Sequence, residues 1–296
     1  MTDGLAKTTT LPEWAVKERP RRRRWRTFLR NRTAVVGMAV ALLVVWAALF
    51  APWIAPHDPL AQNVFYRLTP PERAHPMGTD SYGRDVFSRL IWGARISLAV
   101  GVLSVAFGMI AGSLLGLLAA YRGRTVGALI MRGVDVLMSF PDEILGIMIL
   151  AVLGAGLDRL IIAIGIVMTP RFARLSYGPA LAIKEKEYVE AARAIGSSDW
   201  KILLRHILPN VAGEIVVMGS LWTATAIRVE ANLNFLGLGV PPPIPTWGNM
   251  VQTGIDQLTY APWLSLFPGL AIMITILAFN MLGDGLRDVI DPRLQE

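Results

Sequence analysis

The stretch IKEKEYVEAARAIGSSDWKILLRHILPN, residues Ile183 to Asn210, interrupts an otherwise strongly apolar second half of the chain. A segment this polar is too costly to bury in lipid, so we expect it on one face of a membrane. Its pattern predicts two short helices joined at Gly196, because glycine readily adopts the left-handed conformation that ends a helix. Ser197 or Ser198 would cap the second helix, and Pro209 would end it. A solvated loop with ordinary caps is the alternative interpretation.

Composition places the whole chain in a membrane. Of its 296 residues 53% are hydrophobic and only 17% are charged, whereas soluble domains carry about 25% charged residues. The sequence therefore predicts an all-α polytopic membrane protein. It contains no cysteine, which excludes disulfides, thiolate metal sites and cysteine nucleophiles.

Six apolar segments are candidates to cross the bilayer as helices. We predict spans at residues 34–51, 97–120, 128–153, 159–177, 211–230 and 263–282. They form a transmembrane domain, residues 34–296, which follows a basic N-terminal segment, residues 1–33. The second span is rich in glycine, and small residues let helices approach closely in lipid.

The distribution of Lys and Arg predicts how these spans are oriented. Placing the N-terminus inside assigns 22 of the 29 basic residues to the cytoplasmic side. The positive-inside rule then puts both termini and residues 183–210 in the cytoplasm. Ten of the basic residues, which contribute much of the net charge of +7, precede Ala34. We interpret this run as an anchor on anionic lipid headgroups rather than as a nucleic-acid site.

The sequence contains no P-loop motif, so we do not expect the chain to hydrolyse ATP by itself. A phosphate-binding P-loop needs a Gly-Lys pair, and none of the five lysines follows a glycine. We therefore predict a non-enzymatic chain that binds no cofactor itself. The three histidines, His57, His75 and His206, show no paired spacing, which predicts neither a metal site nor a proton shuttle.

Ionisable residues inside apolar segments are functional candidates, because burying them in lipid is costly. Asp142 and Glu143 follow Pro141 well inside the third segment. They could line an aqueous path and meet a cationic group such as a peptide ammonium. Alternatively, they line a wet kink or pair with an arginine on a neighbouring helix. Arg228 and Glu230 end the fifth span, where a gate and a packing bridge are equally plausible.

The polar segment also carries a family pattern. It resembles the EAA loop of ABC importer permeases, with a single departure, His206 at the position of an isoleucine. The matching residues are Glu190, Ala191, Ala192, Gly196, Leu208 and Pro209. Three further stretches, residues 78–98, 231–250 and 261–293, resemble the C-type permease of dipeptide, oligopeptide and nickel importers.

This resemblance implies a type I ABC importer permease fold, also called MetI-like, and a set of partners. A B-type permease subunit would complete the translocation path, and two cytosolic ATPase subunits would bind ATP and magnesium. An extracytoplasmic solute-binding protein would deliver the solute, with peptides, nickel chelates and glutathione-like ligands all open. The chain would lie in the cytoplasmic (inner) membrane.

Within such a system the EAA loop forms coupling helices that sit in a groove of the ATPase. The resemblance thus assigns ATPase docking to Glu190, Ala191, Ala192 and Gly196, and the return into the membrane to Leu208 and Pro209. The competing hypothesis is a secondary transporter driven by protons through Asp142 and Glu143. A basic-tailed membrane scaffold is a third hypothesis, but it explains only the arginine run.

Overall fold

A computed structural model describes residues 28–290 of the protein. The predictions for residues 1–27 and for the last six residues lie outside this range. The described part is all-α, apart from one isolated β-bridge between Thr79 and Asp85. The predicted fold class is confirmed.

The helices are, in chain order, α1 (Arg32–Leu49), α2 (Ala51–Ile54), α3 (Val86–Arg122), α4 (Arg124–Met138), α5 (Asp142–Leu153), α6 (Leu157–Lys184), α7 (Glu187–Ala194), α8 (Asp199–Ile202), α9 (Leu208–Phe235), α10 (Trp247–Ile255) and α11 (Trp263–Ile290). A 3₁₀ turn, Val64–Tyr66, precedes α3, and a π-helical segment, Leu203–Ile207, joins α8 to α9. By length and composition five helical stretches could each cross a membrane, and α4 with α5 would make a sixth.

The predicted third span, residues 128–153, is broken rather than continuous. Helices α4 and α5 meet at a bend of 97°, and Pro141 is the N-cap of α5. Proline has no backbone N–H and disfavours helical conformation in the residue before it, so the helix stops there and restarts. Asp142 and Glu143 consequently lie in the first turn of α5.

Two other boundaries differ from the predictions. Helix α3 begins at Val86, ahead of the predicted 97, because Asp85 caps it by accepting a hydrogen bond from the Ser88 N–H at 2.7 Å. The prediction that Pro209 ends a helix is wrong, since one helical run continues from Asp199 to Phe235. The π-helical segment directly before Leu208 changes the hydrogen-bond register, so the missing N–H of proline falls in the first turn of α9.

The centre of the bundle is the contact between α3 and α6, which is the most extensive helix pair in the described part. Gly112 and Gly116 of α3 face this contact. A Cβ on Gly112 would overlap the carbonyl oxygen of Thr169, and one on Gly116 would overlap that of Ala173. This confirms the prediction that glycines in the second span allow close helix approach.

Candidate functional site

The polar segment 183–210 is fixed to the C-terminal end of α3. The Lys184 ammonium donates hydrogen bonds to the carbonyl oxygens of Ala120 (3.1 Å) and Tyr121 (3.0 Å). The Tyr121 hydroxyl donates to Asp199 Oδ1 at 2.6 Å, and the Arg193 guanidinium lies 5.6 Å from the centre of the Tyr121 ring. Both short helices of the segment are therefore held against the membrane-spanning part of the same chain.

The turn between those helices forms at Gly196, as predicted. Its φ of +79° lies in the left-handed region, which favours glycine. The Gly196 N–H donates to the Arg193 carbonyl at 3.0 Å, and the Ser197 N–H donates to the Ala192 carbonyl at 3.1 Å. A Cβ at position 196 would meet nothing within 4 Å. Within this chain, glycine is thus required for its conformation and not for space.

The segment exposes large apolar side chains. Ile195 is 83% exposed and Trp200 is 53% exposed, although both belong to the residue types that are normally buried or partnered. Of the predicted docking residues, Glu190, Ala191 and Gly196 are exposed, whereas Ala192 is buried. Leu208 is half-buried and Pro209 is exposed. Ala192 thus packs inside the chain, and the exposed surface extends to two residues, Ile195 and Trp200, that the sequence analysis did not select.

The predicted pathway carboxylates each meet an arginine on a neighbouring helix. Asp142 forms an ion pair with Arg171 of α6 at 2.6 Å. Glu143 forms an ion pair with Arg228 of α9, and the Asn232 side-chain amide donates to the same carboxylate oxygen at 3.3 Å. The break at Pro141 presents both acids at the start of α5, and their ion pairs tie α5 to α6 and α9. Their role in a pathway stays a prediction.

Glu230 has different surroundings from the other three pathway candidates. It is fully buried, and its Oε1 accepts hydrogen bonds from Ser97 Oγ of α3 at 3.0 Å and from the Asn234 amide at 2.7 Å. Arg228 and Glu230 are two residues apart on α9, so they point to different sides of it. Glu230 thus joins α9 to α3, and whether Arg228 and Glu230 act as a gate or as a packing bridge stays a prediction.

Two of the three histidines meet in the structure. His75 Nδ1 lies 2.8 Å from Asp85 Oδ1, and His57 Nδ1 lies 3.8 Å from Asp85 Oδ2. The imidazole ring centres of His57 and His75 are 4.8 Å apart. This cluster was not predicted, because its three residues are widely spaced in the chain and only the folded loop before α3 brings them together. His206 lies elsewhere, in the π-helical segment of the polar stretch.

These features define a class: a polytopic helical membrane protein with a broken span and a folded polar segment between two long spans. The fold is shared with a chain of the MetNI methionine ABC transporter, solved in inward facing conformations. The TM-score is 0.53 with 20% sequence identity, covering 69% of this chain and 97% of that chain.

Sequence comparison gives the family. Residues 112–296 match the family described as the binding-protein-dependent transport system inner membrane component. Residues 19–71 match the N-terminal transmembrane domain of oligopeptide transport permease C. The chain belongs to this family of ABC importer permeases, as a C-type subunit.

Curated relatives are similar over nearly the whole chain. The glutathione transport system permease protein GsiD of Pectobacterium atrosepticum is 46% identical, covering 93% of this chain and 92% of that protein. The di/tripeptide transport system permease protein DppC of Pseudomonas aeruginosa is 42% identical, covering 92% and 91%. The dipeptide transport system permease protein DppC of Alkalihalophilus pseudofirmus is 41% identical, covering 93% and 91%. The protein is thus a multi-pass permease subunit of an ABC importer, and the proton-coupled hypothesis gains no support.

Proposed function

We propose that this permease carries peptides or related small solutes such as glutathione, and that its segment 183–210 docks on a separate ATPase. The relatives named for glutathione, dipeptides and tripeptides support this class of solute. A B-type permease subunit supplies the other half of the path, and an extracytoplasmic solute-binding protein delivers the solute. ATP and magnesium are bound by the ATPase subunits, and this chain contributes no catalytic residue. It lies in the inner membrane with both termini in the cytoplasm.

The observation that carries the docking proposal is the exposed apolar surface on a segment that is itself held firmly. Ile195 and Trp200 are largely exposed, while Lys184 and Tyr121 fix the segment to the end of α3. Tryptophan is enriched among the residues that contribute most to protein–protein binding, so Trp200 supports a contact on this side of the segment. A partner that moves the segment would therefore also move the end of α3, and through it the bundle.

The pairing of the two carboxylates with arginines supports a structural connection between the docking segment and the broken span. Their ion pairs join the broken span to α6 and α9. Helix α6 leads directly into the docking segment and α9 leads out of it. The same pairs would thus transmit a movement of the segment to the broken span.

Gly196→Arg tests the docking proposal, with Gly196→Asn as its matched control. Asparagine tolerates the left-handed conformation better than other residues with a side chain, so it preserves the turn and adds little bulk. The arginine would hold the partner off the surface. We expect ATP-driven uptake of a labelled dipeptide or glutathione to fall about tenfold or more with arginine, which corresponds to losing a central interface contact, and to stay near wild type with asparagine.

The measurement uses the full complex in proteoliposomes, with ATP hydrolysis and uptake recorded together. The amount of assembled complex and the unfolding temperature are compared between variant and wild type. If both are equal, a loss of uptake does not result from a loss of folding. ATP-driven uptake that survives Gly196→Arg would refute docking at this turn. Uptake that persists without ATP and collapses when a proton gradient is removed would instead revive the proton-coupled hypothesis.

A further inference from the structure

The loop before α3 gathers two imidazoles around one buried carboxylate. The ligand atoms of His57, His75 and Asp85 all lie within 4.8 Å of one another. The Asp85 side chain is 1% exposed, that of His75 is 11% exposed and that of His57 is 42% exposed. The cluster is therefore closed beneath the carboxylate and open on the side of His57.

The spacing of the donors is close to that of a metal site. Ligands about 2.1 Å from a tetrahedral ion are about 3.4 Å from one another. The two separations from Asp85 oxygens to imidazole nitrogens, 2.8 Å to His75 and 3.8 Å to His57, lie on either side of that value. A hydrogen bond accounts for the shorter one, but 3.8 Å is too long for a hydrogen bond. The position of His57 is thus not explained by hydrogen bonding to Asp85.

The site is held in place by its own surroundings. The Ser88 N–H donates to Asp85 Oδ2 at 2.7 Å, and the Ser88 hydroxyl accepts a hydrogen bond from the His57 N–H at 3.1 Å. Ser88 thus positions both the carboxylate and the backbone of the more exposed histidine. Arg84 and Arg89, the nearest arginines along the chain, both pair with Asp80. Within residues 28–290, the ion pairs of Asp85 are formed with the two histidines alone.

Beside the cluster is a pocket of about 380 Å³, wide enough for water and further ligands. Its wall includes the polar residues Asp58, Gln62 and Asn63 in addition to the cluster. Two imidazoles and one carboxylate suit borderline ions such as zinc, whereas calcium and magnesium prefer sites made entirely of oxygen. Water from the pocket would complete the coordination of such an ion.

We propose that His57, His75 and Asp85 bind one divalent transition-metal ion of the zinc type, which ties the start of the loop to the N-terminal end of α3. The ion would join three points of the chain, residues 57, 75 and 85, by direct coordination in addition to their hydrogen bonds, ion pairs and ring contact. Binding to the folded chain would then raise its stability by mass action. This site is independent of the docking segment, which lies at the other end of α3.

The test uses the full-length chain in detergent, purified through a tag without histidines and stripped of metal with a chelator. Zinc chloride is added, free zinc is removed by gel filtration, and bound zinc is measured by mass spectrometry together with the unfolding temperature. We expect one zinc per chain and a zinc-dependent rise in that temperature. His57→Gln is the main variant, because His57 is the most exposed ligand, and we expect it to lose both effects. His206→Gln is the matched control, and it should retain both.

His75→Gln should lose zinc in the same way, and gel filtration together with the unfolding transition shows whether that variant is folded. Cobalt offers a second readout, since a site with two imidazoles and a carboxylate gives visible absorption bands that His57→Gln would abolish. Absence of stoichiometric zinc in the wild-type chain would overturn the proposal. Zinc binding by folded His57→Gln equal to that of the wild type would overturn it as well.

Discussion

Residues 75–89 and residues 183–210 are both polar, and they lie at opposite ends of α3, a helix of 37 residues that is about 55 Å long. The first region satisfies its polar groups internally. Asp80, Arg84, Asp85 and Arg89 are all buried, and each has a partner within the region. The second region instead exposes Ile195 and Trp200. The difference separates a part that completes the fold from a part that awaits a partner.

Substitutions in the two regions should affect different properties of the protein. In residues 75–89 a buried charge without its partner would be costly, so removal of Asp80 or Asp85, the two buried carboxylates, should lower stability. In residues 183–210 the exposed side chains contribute little to the stability of the isolated chain. Their substitution should instead affect what the chain does in its complex. Stability and uptake, measured on the same variants, therefore distinguish the two regions.

The largest effect is expected for Asp80→Ala. Its carboxylate accepts from Arg84 Nε at 2.7 Å and lies 3.6 Å from Arg89 Nε, so the variant leaves two buried guanidinium groups without a counter-charge. We expect a loss of about 3–5 kcal/mol in the free energy of unfolding, seen as a lower unfolding temperature and less folded protein. Glu190→Ala, which removes an exposed acid from the other region, should change stability by less than about 0.5 kcal/mol. Equal losses for both variants would contradict the division.

The second prediction concerns uptake. Ile195→Asp places a charge on the exposed surface, where docking would bury it without a partner. We expect ATP-driven uptake to fall about tenfold or more, because a desolvated unpaired charge costs at least 2 kcal/mol. The unfolding temperature should stay at the wild-type value.

Ile195→Met keeps the apolar surface and should retain uptake. If the aspartate variant transported normally, Ile195 would not lie in the contact.

Much of this arrangement could be predicted from the sequence, because it depends on local signals. The apolar segments predicted the helical membrane fold, and Gly196 predicted the turn of the polar stretch, where one helix ends at Ala194 and the next begins at Asp199. The glycines of α3 predicted a close helix contact, which Gly112 and Gly116 make with α6. Each of these features follows from residues that are near one another in the chain.

The features that escaped prediction depend on distant residues. Helix α3 starts at Val86 because Asp85 caps it and because Arg89 in its first turn is neutralised by Asp80, a pairing that apolar periodicity does not reveal. Pairing of Asp142 and Glu143 with an arginine on a neighbouring helix is one of the predicted alternatives, but hydropathy does not indicate that the partners are Arg171 of α6 and Arg228 of α9. His57 meets His75 only after the loop has folded. Hydropathy and spacing identify such residues as unusual, but only the packed bundle determines their partners.

The smallest effect is expected for Tyr121→Phe, which tests how the docking segment is attached to α3. Tyr121 is where the docking segment joins α3, and its hydroxyl donates to Asp199 at 2.6 Å. Losing this one bond should cost about 1 kcal/mol of stability and reduce uptake severalfold, because the segment would move less tightly with α3. Tyr188→Phe removes a hydroxyl from the same segment and keeps the bond to Asp199, so it serves as the control.

In a double-mutant cycle with Asp199→Ala the two effects should be less than additive if the hydroxyl acts through Asp199. Additive effects would mean that Tyr121 holds the segment through its ring and Arg193 instead.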